Sequence, residues 1–180
     1  SINDEMTICF INDIFNFSFK FIYDHSSFLI INKTGENIPK KVRKNIIRVS
    51  KKYNIESKII TKKDLDFEEV IDKLLYIKNN HYISNNVKGM PLKRMLFYRD
   101  IASKNFSHLS YTKINNIYAA FHLGIKSRES LIYLLPTYSK EYRSLSPGWI
   151  HLEFLIRNSI SNDFKNIDLT IGNEAYKERL

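Results

Sequence analysis

The chain has 180 residues, 43% of them apolar and 13% aromatic, with a net charge of +9 and a single cysteine, Cys9. That length supports one domain with a sizeable core, and the aromatic content excludes a disordered segment. The lone cysteine excludes an internal disulfide and a cysteine-cluster zinc site, and apolar runs of at most five residues, such as Leu131–Leu135, exclude a membrane-spanning helix.

Ser1–Phe10 carries acids where a cleavable signal peptide carries bases, which with one cysteine fits a reducing, cytoplasmic setting. Residues 1–34 are rich in Phe and Ile and end in a strand-like Ser27–Asn32. A turn at Thr34–Asn37 separates this segment, which reads as the tail of a preceding half, from a domain over 35–180. Pro39 suits the first position of a helix, and Lys40–Lys52 follows with seven bases and no acid. Val42, Ile46 and Val49 recur at i, i+4 and i+7, so the helix is amphipathic with a basic outer face. Three readings of that face stand: plain solvated surface, attraction to an anionic substrate, cofactor or lipid, and contact with nucleic acid.

Ile55–Thr61 has the length and composition of a strand. Asp66-Phe67-Glu68-Glu69 forms an acidic capping box that opens a helix to about Asn79, with Phe67, Val70, Ile71, Leu74 and Leu75 on one face. A polar loop, His81–Met90, precedes Pro91 and a further helix to about Ser103. The period then changes. Ser107–Ile114, Ile117–Ile125 and Leu131–Thr137 are strand-length runs, the first two joined by Asn115-Asn116, a pair that tolerates positive φ in a tight hairpin. The third run is apolar on both faces and belongs at the centre of a sheet.

Ser146-Pro147-Gly148-Trp149 then starts a helix to about residue 161. Ser146 is the expected cap, Pro147 the first residue, and Gly148 the point of close backbone approach. The first-turn N–H groups and the positive end of the dipole suit a phosphate. A strand over 166–171 and a polar segment bearing Tyr176 and Lys177 complete the chain.

Ser146-Pro147-Gly148, Ile167-Asp168-Leu169, Gly172-Asn173-Glu174 and Tyr176-Lys177 resemble the C-terminal signature of CelD-like acetyltransferases, the acetyltransferase-6 group of the GNAT superfamily. This group is related to the Fem-type aminoacyltransferases of peptidoglycan synthesis. The basic helix, the acidic-capped helix, and His81-Tyr82 with Gly89 fall where that group has a basic helix, a helix and a small motif. The resemblance implies an α/β (α+β) fold with a mixed, mainly antiparallel sheet flanked by helices, its final strands missing from this chain. It also implies a CoA-dependent N-acyltransferase acting by direct attack of an amine on acetyl-CoA or another acyl-CoA, without a metal. The acceptor it implies is a small-molecule or sugar amine. A Fem-like aminoacyl-tRNA-dependent transferase and a non-catalytic GNAT-fold pseudoenzyme or binding module are the alternatives, and a homodimer and tRNA are the further partners it allows. The usual GNAT loop, Arg/Gln-x-x-Gly-x-Gly/Ala, is absent, and Ser-Pro-Gly stands in its place.

Carried onto this sequence, the resemblance puts the pantetheine between Leu131–Thr137, including Leu135, and Ile167–Ile171. Ser146 and the N–H groups of Gly148, Trp149 and Ile150 then face the pyrophosphate. Tyr176 is the acid for the leaving thiolate, and Lys177 neutralises an anionic group. Each residue also has a structural reading: Ser146-Pro147-Gly148 as an ordinary helix start, Trp149 as core, Tyr176 as a packing tyrosine and Lys177 as a solvated lysine. Asp168 reads equally as a base, an orienter or a strand-end carboxylate held by backbone N–H groups. The histidines, His25, His81, His108, His122 and His151, show no metal-ligand spacing, and no nucleophile elbow, phosphate loop or dinucleotide glycine pattern occurs.

Overall fold

A computed structural model describes residues 28–31 and 38–170. Among the described residues six strands form one sheet: β1 (Phe28–Ile30), β2 (Ile55–Ile60), β3 (Ser107–Ile114), β4 (Ile117–Lys126), β5 (Ser130–Tyr138) and β6 (Asn166–Asp168). Their order is β1-β6-β5-β4-β3-β2, and every pairing is antiparallel except β5 with β6. Four α-helices flank it: α1 (Lys40–Lys52), α2 (Phe67–Ser84), α3 (Leu92–Ala102) and α4 (Pro147–Ser161). The expected mixed, mainly antiparallel sheet with flanking helices is therefore the fold, and β5 is interior, as its two apolar faces require.

The two faces of the sheet carry separate cores. Val70, Ile71 and Leu74 of α2 and Ile101 of α3 pack against Leu109, Phe121, Leu123 and Leu135. On the other face, Leu152, Leu155 and Ile156 of α4 cover Leu131, Tyr133 and Ile167, while Ile46 and Val49 of α1 meet Ile114, Ala119 and Ile150. The i, i+4, i+7 pattern of α1 thus buries its apolar stripe and leaves the bases outside. The β3–β4 hairpin closes through Asn115 and Asn116 at φ 50° and 66°, the positive values a two-residue turn demands.

Four local expectations differ from the structure. Helix α2 runs five residues beyond Asn79, so His81 lies on a helix and not in a loop; no proline or glycine interrupts the chain before Gly89. Asp66 makes no side-chain cap. Its carboxylate instead accepts the Tyr111 hydroxyl at 3.1 Å and faces Lys58 at 3.7 Å, a tertiary charge-assisted pairing that replaces the local one. A 3₁₀ helix, Lys140–Leu145, intervenes before α4. Finally, β6 pairs only over Asn166–Asp168, shorter than the expected 166–171. β1, which precedes the turn at 34–37, is the edge strand beside β6. Among the described residues no helix is long and apolar enough to cross a membrane.

Candidate active site

The parallel pair β5–β6 begins in register at Ser130↔Asn166 and ends at Ile132↔Asp168, although β5 continues to Tyr138. Past Ile132 the two strands part. The cause lies on the opposite edge of β5. There Leu123 pairs with Leu135 but Ile125 pairs with Ile132, so Tyr133 and Leu134 together oppose the single residue Gly124. A bulge of this kind bends the strand that carries the extra residue and raises its twist. Gly124 is obligatory at that point, because a Cβ would come within 2.5 Å of the Ile132 carbonyl oxygen and overlap the His122 ring.

The β6 side of the wedge is also held open. The Asp168 carboxylate accepts the Thr170 N–H at 2.8 Å, and Thr170 takes φ 62°. That side-chain-to-backbone turn carries the chain out of the sheet straight after its last pairing with β5. Asp168 therefore stands at the vertex of the wedge, as a strand-end carboxylate bonded to backbone.

The wedge opens toward the start of α4. Ser146 sits in the left-handed region at φ 57°, makes no side-chain cap, and its carbonyl accepts N–H bonds from Trp149 at 3.0 Å and Ile150 at 3.2 Å. The expected cap by the Ser146 hydroxyl is thus not formed: the left-handed turn uses the backbone of Ser146, not its side chain. Two of the three N–H groups expected to face a phosphate already have an acceptor in the first turn. Pro147 has none to offer, and the N–H of Gly148 has no partner among the described residues. Among the described residues a Cβ at Gly148 would touch only Tyr138 Cδ1, at 3.6 Å, so none of them crowds this position. Trp149 is half-buried against the α4 core and Ile150 is buried with Ile46 and Val49. Leu135 lies on the parted stretch of β5, with its side chain turned into the α2 core. Tyr176 and Lys177 lie outside the described residues, as do Gly172 and Glu174.

Sequence reasoning missed a cationic corner beside this mouth. Tyr138, at the end of β5, meets the His81 ring edge-on with centroids 5.4 Å apart, and the Thr137 hydroxyl lies 3.3 Å from His81 Nδ1. Lys78 donates to the Pro136 carbonyl at 3.0 Å, and Lys140 bonds the Ser84 hydroxyl. Burial, then the charges of Lys140 and Lys78, hold the imidazole below its ordinary proton affinity. A neutral His81 thereby registers a positive field at the open end of the wedge. The extension of α2 creates this corner, so no loop reading could have placed it. The bulge did leave a trace, an isolated glycine inside an apolar strand.

Beneath α4 lies a second polar layer that is fully enclosed. His151 Nδ1 and Nε2 bond the hydroxyls of Thr112 at 2.7 Å and Ser110 at 3.1 Å. His108 Nε2 meets Asn158 at 3.3 Å. His122 stacks on Tyr133 at 4.6 Å, with neither ring nitrogen partnered among the described residues. Burial pushes His151 down to about 3 and His122 well below its ordinary value. No group of three His, Cys, Asp or Glu among the described residues is arranged to hold a metal ion.

The fold agrees with comparisons to known proteins. The model of the acetyltransferase (GNAT) domain family matches residues 40–178. No curated protein matches the sequence. Among solved structures, FemX superposes with a TM-score of 0.67 at 10% identity, over 86% of this chain and 57% of that one. The C-terminal domain of a putative lysylphosphatidylglycerol synthetase from Agrobacterium fabrum gives 0.59 at 9% identity, over 85% and 47%. A conserved protein of unknown function from Bacteroides thetaiotaomicron gives 0.61 at 17% identity, over 95% and 60%. At these identities the likeness is one of fold, and the chain spans between 47% and 60% of the length of the three.

Proposed function

The chain belongs to the acetyltransferase (GNAT) domain family, and from that premise we propose that it transfers an acyl group from acyl-CoA to an amine on a small molecule or amino sugar. The observation that carries this reading is the wedge: parallel strands paired for three residues and then parted by a bulge, opening onto a helix start. Parted strands expose main-chain donors and acceptors on an interior edge, where an extended amide-containing arm can complete the ladder.

In this reading the pantetheine arm lies along β5 beyond Ile132, and the diphosphate sits at the Gly148 N–H. The helix dipole of α4 and the charges of Lys78 and Lys140 favour it there. Main-chain N–H groups on the parted stretch of β5 polarise the thioester carbonyl, a contribution that grows as charge develops on that oxygen. The acceptor nitrogen attacks the carbonyl carbon, the new C–N bond forms, and collapse of the tetrahedral adduct breaks the C–S bond. The amine's proton leaves to a base, and the thiolate takes a proton from an acid, the role proposed for Tyr176. Lys177 neutralises an anionic group nearby. Asp168 acts by holding the wedge open.

The test is thiol release from acetyl-CoA in the presence of a panel of amino sugars and other primary amines. Acceptor-dependent release of free CoA supports the proposal. Transfer only from aminoacyl-tRNA would overturn the donor assignment, and transfer from neither donor would overturn the acyltransferase reading.

A further inference from the structure

The outward face of α1 has a composition unlike the rest of the described surface. Lys40, Lys41, Lys44, Arg48, Lys51 and Lys52 are all exposed, and none has an ion-pair partner among the described residues. The ion pairs that do occur lie elsewhere: Arg99 of α3 bridges Glu68 and Asp72, Lys58 meets Asp64, and Arg157 meets Glu153. Among the described residues the α1 face thus keeps its charge uncompensated along a row about 20 Å long.

We propose that this face docks on an anionic bilayer surface, which would set the membrane beside the start of α4. Three observations favour a bilayer over nucleic acid. A straight helix presents all six cations to a plane at once. Ile47, 51% exposed, projects among Lys44, Arg48 and Lys51, where a headgroup layer can take a branched apolar side chain and a phosphate groove cannot. Five of the six cations are lysines, point charges without the planar fork or the stacking surface that RNA recognition uses. The one aromatic at the helix end, Tyr53, is half-buried with Lys52 over its ring at 5.4 Å. The inner stripe of α1 packs on Ile150 in the first turn of α4, so docking through the outer face sets the lipid surface about one helix diameter, roughly 10 Å, from that turn.

The experiment is co-sedimentation with vesicles of phosphatidylcholine alone and of phosphatidylcholine with 30% phosphatidylglycerol, at low and high salt. Binding is expected to the anionic vesicles only, and to be lost as salt shortens the screening length. Replacing Lys44, Arg48 and Lys51 together by Gln removes three exposed charges and leaves Ile46 and Val49 in place. Each base near an anionic leaflet contributes roughly a fivefold gain in partitioning, so the triple variant should bind about 100-fold more weakly with unchanged circular dichroism. If that variant does not fold, the wild-type contrast between the two vesicle types and its salt dependence still decide the matter. Equal binding to neutral vesicles, no binding to anionic ones, or displacement from them by tRNA at equal phosphate would overturn the proposal. No arm of this test uses acyl transfer, so its outcome is separate from that of the proposed activity.

Discussion

Gly124 and Asp168 hold the two sides of the wedge, and each makes a separable prediction. Gly124→Ala forces a Cβ against the Ile132 carbonyl and the buried His122 ring, neither of which can retreat far in a packed layer. The cost should be about 3 kcal/mol in urea unfolding, from overpacking. A loss below about 0.5 kcal/mol would show that the bulge is adjustable. Asp168 separates orientation from proton transfer. Asp168→Asn keeps a side-chain oxygen for the Thr170 N–H and should retain most of the activity of the intact chain, whereas Asp168→Ala should lose most of it. Loss in both variants would instead make the carboxylate a base.

At the same scale the sequence was only partly legible. Ser146-Pro147-Gly148 was rightly read as a helix start, with Pro147 the first helical residue. The use made of Ser146 was not readable, because a hydroxyl cap and a left-handed backbone turn are written with the same residue. Gly124 carried a bulge signal, but nothing local said that the bulge would part β5 from β6.

Among the elements, the layer between the sheet and α4 should make stability depend on pH. His108, His122 and His151 face one another, with Ser110 and Thr112 from β3, Tyr133 from β5 and Asn158 from α4 around them. Among the described residues no carboxylate bonds any of the three rings. Burial lowers the folded-state proton affinity of all three. The unfolded chain therefore binds more protons below its ordinary histidine value of roughly 6.5, so stability is full above that pH and falls as pH drops toward the folded values, about 3 for His151. The slope should approach about 1.4 kcal/mol per pH unit for each histidine. Thermal unfolding at pH 7.5 and 5.5 measures it. His122→Phe keeps the ring stacked on Tyr133 and removes two unpartnered nitrogens, so it should be at least as stable at neutral pH and lose less on acidification. A pH profile identical to wild type would contradict this account.

Helices and strands with a strong period were readable in outline: α1 from its i, i+4, i+7 stripe, the β3–β4 hairpin from Asn115-Asn116, and β5 from its double-sided apolar run. The misses lay at ends. Helix α2 continued because nothing stopped it, and β6 stopped early because a carboxylate two residues before Thr170 turned the chain. Both misses fall at the site, where tertiary demands override local preference.

For the molecule as a whole, the sheet order places the parted strands inside the sheet, with α4 and α1 on one face and α2 and α3 on the other. The lysines of α2 and of the 3₁₀ helix meet at the mouth from two different stretches of chain, so their convergence exists only in the folded protein. Likewise the net charge of +9 and its concentration on the outer face of one helix were readable in the sequence, but that this face lacks ion-pair partners among the described residues needed the packing of α1 to be known. The central claim is that the wedge and the Gly148 mouth receive a thioester donor with its diphosphate. Calorimetric titration of acetyl-CoA into wild type and Gly148→Leu tests it most directly, because none of the described residues crowds Gly148 and its substitution should leave their packing intact. The account predicts saturable one-to-one binding, weakened at least about tenfold, or about 1.4 kcal/mol, in the variant. Absence of binding at millimolar donor, or equal affinity in the two proteins, would contradict it.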